Sequence, residues 1–217
     1  MTVLLLRLEG PMQSWGTYSR FTERDSGKEP SKSGVIGLLC SALGRTRDSD
    51  ISDLAAMRMA TRVDREGALS RDFHTALEVP RAGNPGTSTV ISNRYYLSDA
   101  CFLAALEGND ELVARLNDAL KVPHWGIFLG RKAFAPSAPI FLEDGEEFDD
   151  CAQAIRNFRW LGRPRDRLPE ALRAVVECSA DEGEARMDVP ISFASRKFAL
   201  RFVRNEWIPT SELQKEG

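Results

Sequence analysis

Histidine is scarce in this sequence. Only His74 and His124 occur among 217 residues. Neither sits in an HxxxH spacing or beside a carboxylate cluster, so metal-dependent hydrolysis finds no support. Cysteine is scarce too, and Cys40, Cys101, Cys151 and Cys178 form no CxxC pair. That argues against zinc and leaves each as a small buried hydrophobe in a reducing compartment. No GxSxG motif surrounds Ser14, Ser33 or Ser137, so a hydrolase triad is unsupported. The longest apolar run near the start is Val3 to Leu6, too short for a signal core or a membrane span. The chain is therefore expected to stay in the cytoplasm, without a membrane partner and without a cofactor.

What remains is an ordinary globular composition, 42% hydrophobic and 28% charged. The net charge of −3 does not advertise nucleic acid, but its distribution is uneven. Residues 1–135 carry 17 basic against 16 acidic residues, and residues 136–217 carry 12 against 16, six of those acids lying between Glu143 and Asp150. This leaves room for a local basic groove, with the acidic run facing away from it. Most basic residues are arginine, which suits phosphate contacts but also follows from a GC-rich genome.

The patterning predicts an α+β fold. "TVLLLRLEG" reads as a buried strand, followed by a long polar loop. In "SGVIGLLCSALG" the apolar Val35, Leu38, Leu39 and Ala42 share one helical face, with Ser31 or Ser33 as cap and Gly44 as stop. Gly34 and Gly37 are costly there and imply a close neighbour, either backbone or ligand. A short helix "ISDLAAMRM" and a strand "ATRVDRE" follow. Residues 67–93 read as a projecting hairpin with a loose tip at "PRAGNPG". "RYYLSDACFLAALEG" reads as one long strand, and "NDELVARLNDALK" as a helix capped by Asn109. "GIFLGRKAFAPSAP", residues 126–139, supplies a last strand ending in a glycine turn. The order is that of a ferredoxin-like (RRM-like) domain over residues 1–145, with a smaller β-rich domain over 146–217.

Two segments invite a chemical reading. Gly126 to Lys132 is no P-loop, because three residues rather than four separate the glycines and Ala133 follows Lys132. Gly130, Arg131 and Lys132 form either a phosphate cradle or a solvated turn. In "PMQSWG", Trp15 either stacks a base, with Gln13 and Ser14 bonding its edge, or folds back as a lid over the core. Taken alone, the lid is the simpler reading. His74 at the hairpin base is a stacking or structural residue, or the base of a metal-independent ribonuclease that lacks an evident partner.

Five segments in order, "LRLEGPMQSWG", "SKSGVIGLLCSALG", "RDFHTAL" with "YYLSDACFLAAL", "FLGRKAFAPSAPIFL" and "FASRKFALRF", resemble the CasD family, the Cas-five subunit of the type I-E CRISPR Cascade complex and a member of the RAMP superfamily. The resemblance covers nearly the whole chain. It implies a non-catalytic subunit for antiviral defence that clasps the 5′ handle of crRNA. It implies contacts with the CasC backbone subunit and the CasA large subunit, and with target DNA only through the complex. The hairpin would be the family's thumb, kinking the guide, and Gly126 to Lys132 its glycine-rich loop. RNA contacts are then expected from Gln13, Ser14 and Trp15 to bases, and from Lys32, Ser33 and Gly34 at a helix N-terminus to phosphate. Arg71, His74, Arg81 and Arg94 would contribute from the hairpin, with Gly130, Arg131 and Lys132 from the loop. The family often reads Arg-Arg-Ser-Cys after the second glycine, where this chain has Arg131-Lys132-Ala133-Phe134, so a serine hydrogen bond is missing. Related proteins of another subtype cut precursor RNA, and repeat-RNA cleavage is the alternative reading.

Overall fold

The computed structural model describes residues 1–16, 22–83, 85–143 and 145–213. Strand β1 (Thr2–Glu9) lies inside a sheet and is apolar on both faces. It pairs with β7 (Cys101–Gly108), every residue of which is buried. Their register sends Leu4, Leu6 and Leu8 to one face with Phe102, Ala104 and Leu106, and Val3 and Leu5 to the other with Leu103 and Ala105. Helices α1 (Lys32–Leu43) and α3 (Asp110–Lys121) cover the first face. A second core forms on the other, where a later helix, Cys151–Asn157, supplies Ala154 and Ile155.

The caps follow the sequence. Ser31 accepts from the Gly34 amide, and Gly44 closes α1 in the left-handed conformation at φ 71°. Asn109 accepts from the Glu111 and Leu112 amides, with Asp110 and Glu111 at the positive end of α3. The expected helix at "ISDLAAMRM" shrinks to α2 (Ser52–Ala55), because β4 (Arg58–Arg65) begins at once.

Among the described residues the main sheet has seven strands. From one edge these are β10 (Glu184–Ser192), β11 (Lys197–Pro209), β9 (Ala171–Cys178), β4, β7, β1 and β8 (Phe141–Leu142). The division expected after residue 145 therefore cuts a continuous sheet, since β9 pairs directly with β4. A second sheet holds the hairpin of β5 (Ala68–Pro80) and β6 (Thr87–Ser98), flanked by the short β2 (Met12–Gln13) and β3 (Glu23–Arg24). Most of β5 is exposed, and Asn84 at the tip lies outside the described residues. Helix α4 is the Cys151–Asn157 segment.

Two expectations need correction. "RYYLSDACFLAALEG" is not one strand; Asp99 turns at φ 60° and separates β6 from β7, which belong to different sheets. Residues 126–139 form no strand. Leu129 and Phe134 are buried instead as anchors of a loop, joined by a bond from the Leu129 amide to the Phe134 carbonyl at 2.8 Å. The next strand is the two-residue β8 beyond it. The acidic run includes Asp144, which also lies outside the described residues.

Candidate nucleic-acid interface

The segment after β1 turns inward. Gln13 is fully buried, and its Nε2 donates to the Leu8 carbonyl at 3.0 Å and the Ala100 carbonyl at 2.8 Å. Its Oε1 accepts from the Trp15 indole at 3.1 Å. Trp15 is 1% exposed, and a Cβ at Gly34 would lie 2.8 Å from its ring. The costly glycine of α1 and the tryptophan thus explain one another. Gln13 and Trp15 are thus engaged with one another and with the core, and in this structure neither presents a free edge or face to a base. Ser14 is also buried, donating to the Tyr95 carbonyl at 3.3 Å.

The N-terminus of α1 is likewise occupied. The Lys32 amide donates to Asp188 Oδ2 at 2.8 Å, and Lys32 Nζ pairs with Glu177 at 3.0 Å. The Gly34 amide is taken by Ser31 Oγ. A phosphate here would have to displace an internal carboxylate at Lys32 and the Ser31 cap at Gly34. Ser33 remains, half-buried on the edge of a cleft.

Gly130 adopts φ 88°, and a Cβ there would fall 1.8 Å from the Ser14 carbonyl oxygen. Glycine is required for that backbone crossing, and its amide already bonds the Phe128 carbonyl at 3.1 Å. The turn is therefore not an empty cradle at Gly130. Arg131 donates to the Tyr95 carbonyl at 2.9 Å and lies 5.4 Å above the Phe134 ring. Burial lowers its pKa, and the neighbouring Arg94 and Arg24 guanidiniums lower it further. Arg24 and Arg94 are register partners in the β3–β6 pair, and Arg94 faces Asp72 on β5. Lys132 is exposed. Three arginines and a lysine thus converge where the hairpin leaves the body.

Arg24, Arg131 and Lys132 border an open cleft of about 1810 Å³. Among the described residues its basic lining is Arg24, Arg45, Arg47, Arg131, Lys132 and Arg196, against the one carboxylate of Asp25. Arg45 is partly neutralised by Asp53, at 2.5 Å. Ser14, Ser33 and Gly34 reach the cleft, whereas Arg71, His74, Arg81 and Arg94 do not line it. His74 is exposed on β5 opposite Ser92, and Arg81 is exposed at the tip. Sequence reasoning missed Arg24, Arg45, Arg47 and Arg196. Their only signal is charge in polar stretches; their convergence depends on β3 pairing with β6 and on β10 packing against α1.

Comparison with known proteins agrees on one family. The family model described as CRISPR-associated protein (Cas_Cas5) matches residues 3–204. The chain is 33% identical over 212 aligned residues to the CRISPR system Cascade subunit CasD of Escherichia coli (strain K12), covering 90% of this chain and 93% of that protein. A solved structure described as a Cas protein superposes with a TM-score of 0.81 at 42% identity, covering 99% of this chain and 98% of that one. A chain of a CRISPR RNA-guided surveillance complex superposes with a TM-score of 0.80 at 30% identity, covering 100% of this chain and 95% of that one. The likeness spans both sheets and the cleft between them, and on these matches the chain belongs to the CasD/Cas5 family of CRISPR-associated proteins.

Proposed function

We propose that this chain is a non-catalytic Cascade subunit that holds the 5′ handle of crRNA in the basic cleft. The observation that carries the reading is the imbalance of the described lining, six cations, of which Arg45 is already paired with Asp53, to the one carboxylate of Asp25, with Arg131 flanked by Arg24 and Arg94. Like charges that outnumber the acids beside them cost the free protein energy, and a polyanion removes that cost. In this reading β1, β4, β7 and β8, with α1 and α3, are a ferredoxin-like domain. The exposed β5–β6 hairpin is its thumb, closing over the RNA and kinking the guide. Arg71, His74 and Arg81 then meet RNA or a neighbouring subunit along the thumb, not within the cleft. CasC and CasA are the proposed protein neighbours, target DNA is reached through the assembled complex, and the setting is the cytoplasm.

The test is handle-RNA binding by the assembled complex across a salt series. Arg131→Ala with Lys132→Ala should weaken binding and flatten the salt slope by about 1.4 if two phosphates are involved. Unchanged affinity and slope would remove the cleft from consideration. Incubation with labelled repeat RNA, with and without EDTA, probes the rival ribonuclease reading; specific cleavage lost in His74→Ala would replace the proposal.

A further inference from the structure

The cleft has a second character besides charge. The strands β10 and β11 present Met187 at 55% exposure and Leu200 at 53% on its lining, with the half-buried Phe193 and Phe198. Trp125, 42% exposed, lines the same cleft from the loop before the glycine turn. Phe193 rests on α1, its ring 3.7 Å from where a Cβ of Gly37 would stand. Apart from the edge contact of Trp125 with His124 at 5.0 Å, nothing among the described residues covers the exposed faces of these apolar side chains, which lie at the edge of a sheet and are bordered by cations.

We propose that this apolar edge, contributed by the C-terminal strands, is the base-stacking wall for single-stranded RNA in the cleft, with Phe198 and Trp125 as its aromatic faces. The inference rests on the function proposed above and deepens it. Charge complementarity selects the occupant: phosphates match Arg131, Lys132 and Arg196, while unpaired bases offer flat apolar faces to the wall. A duplex keeps its bases stacked inside and would leave Met187 and Leu200 in water. The wall also takes over the role that Trp15 would have had, since that ring is sealed beneath α1.

Stacking and phosphate contact leave different marks, because stacking releases no counterions. In the assembled complex, Phe198→Ala with Trp125→Ala should weaken handle binding about tenfold or more while leaving the salt slope unchanged. An abasic nucleotide at a stacked position should cost wild type a similar factor and the double variant little more. Leu200→Ser, at an exposed site, provides a variant that keeps the fold, and should weaken binding severalfold. Wild-type affinity in both variants overturns the wall yet leaves the cationic reading standing if Arg131→Ala with Lys132→Ala still lowers affinity and slope. Equal abasic losses in wild type and double variant also overturn it. So does lost subunit assembly with unchanged RNA affinity, which would assign the wall to a protein neighbour.

Discussion

The arginines on either side of the cleft live in opposite surroundings. Those of β9 to β11 are matched to acids. Arg173 and Arg186 both hold Glu29, and Arg201 holds Asp188 and Glu177. Lys32 joins the same network through Glu177 and its own amide, so the start of α1 is fastened to the C-terminal strands. Around the hairpin base, Arg24, Arg94 and Arg131 gather instead; burial lowers the pKa of Arg131 and the two neighbouring guanidiniums lower it further, against the weaker pull of Asp72 and Asp25. The matched network fixes the cleft's shape, and the crowded one gives it a charge. One residue type thus builds the frame and faces the ligand, and only the neighbours tell which.

The largest effect should come from the matched class. Arg62 is fully buried; it holds Asp64 through Nε and Nη2 and donates to the carbonyls of Ile155, Phe158 and Arg159 at the end of α4. Arg62→Ala would strand a buried carboxylate and three carbonyls. Urea unfolding should show a loss of about 3–5 kcal/mol. A loss below about 1 kcal/mol would break the contrast, since Arg62 would then behave as a surface residue.

The Asp188 network offers a milder test through pH. Burial pushes the Asp188 carboxyl up, but the Arg201 guanidinium and the Lys32 amide more than offset it, leaving the pKa below the ordinary carboxylate value. A folded pKa below the unfolded one stabilises the fold above the unfolded pKa, near 3.9, and that stability drains as pH falls through the folded value. Thermal melts should therefore hold level from neutral pH to about pH 4 and decline below it. Asp188→Asn should lower stability at neutral pH and make the acid decline shallower. An equally steep decline in that variant would place the acid sensitivity elsewhere.

These contrasts also show which parts of the molecule sequence can disclose. The helices α1 and α3 are legible because their apolar residues repeat at helical spacing and their caps are local. The strand β1 is legible because it carries the unbroken apolar run Val3 to Leu6 and resumes with Leu8 after Arg7. The loop at 126–139 is not, because Ile127 to Leu129 reads as a strand whether its residues pair with a neighbour or plug the core. Gln13 and Trp15 are ambiguous for a related reason: an indole and an amide satisfy one another inside the core as readily as they meet a base. The cleft itself is illegible, since it forms where β10, a sheet edge, meets the start of α1 through Asp188 and Lys32, 156 residues apart in sequence. Arg131 and Lys132 fall within it, yet the glycine before them serves the crossing over Ser14 and not the ligand.

The smallest effect on stability should be the most discriminating. Arg24 is exposed on β3, adds to the repulsion on Arg131, and lines the cleft. In the free protein, replacing it with glutamine removes a like charge from a crowded group. Stability should then hold or rise, within about 0.5 kcal/mol, and the gain should vanish in high salt as the repulsion is screened. Handle binding should move the other way, weakening with a salt slope flatter by about 0.7 for one lost phosphate contact. Opposite signs for folding and binding are what a cation kept for a ligand produces, whereas a cation kept for structure lowers both together. If Arg24→Gln destabilises the chain and leaves the salt slope intact, Arg24 belongs with the matched arginines, and the division between frame and ligand face must be drawn closer to Arg131.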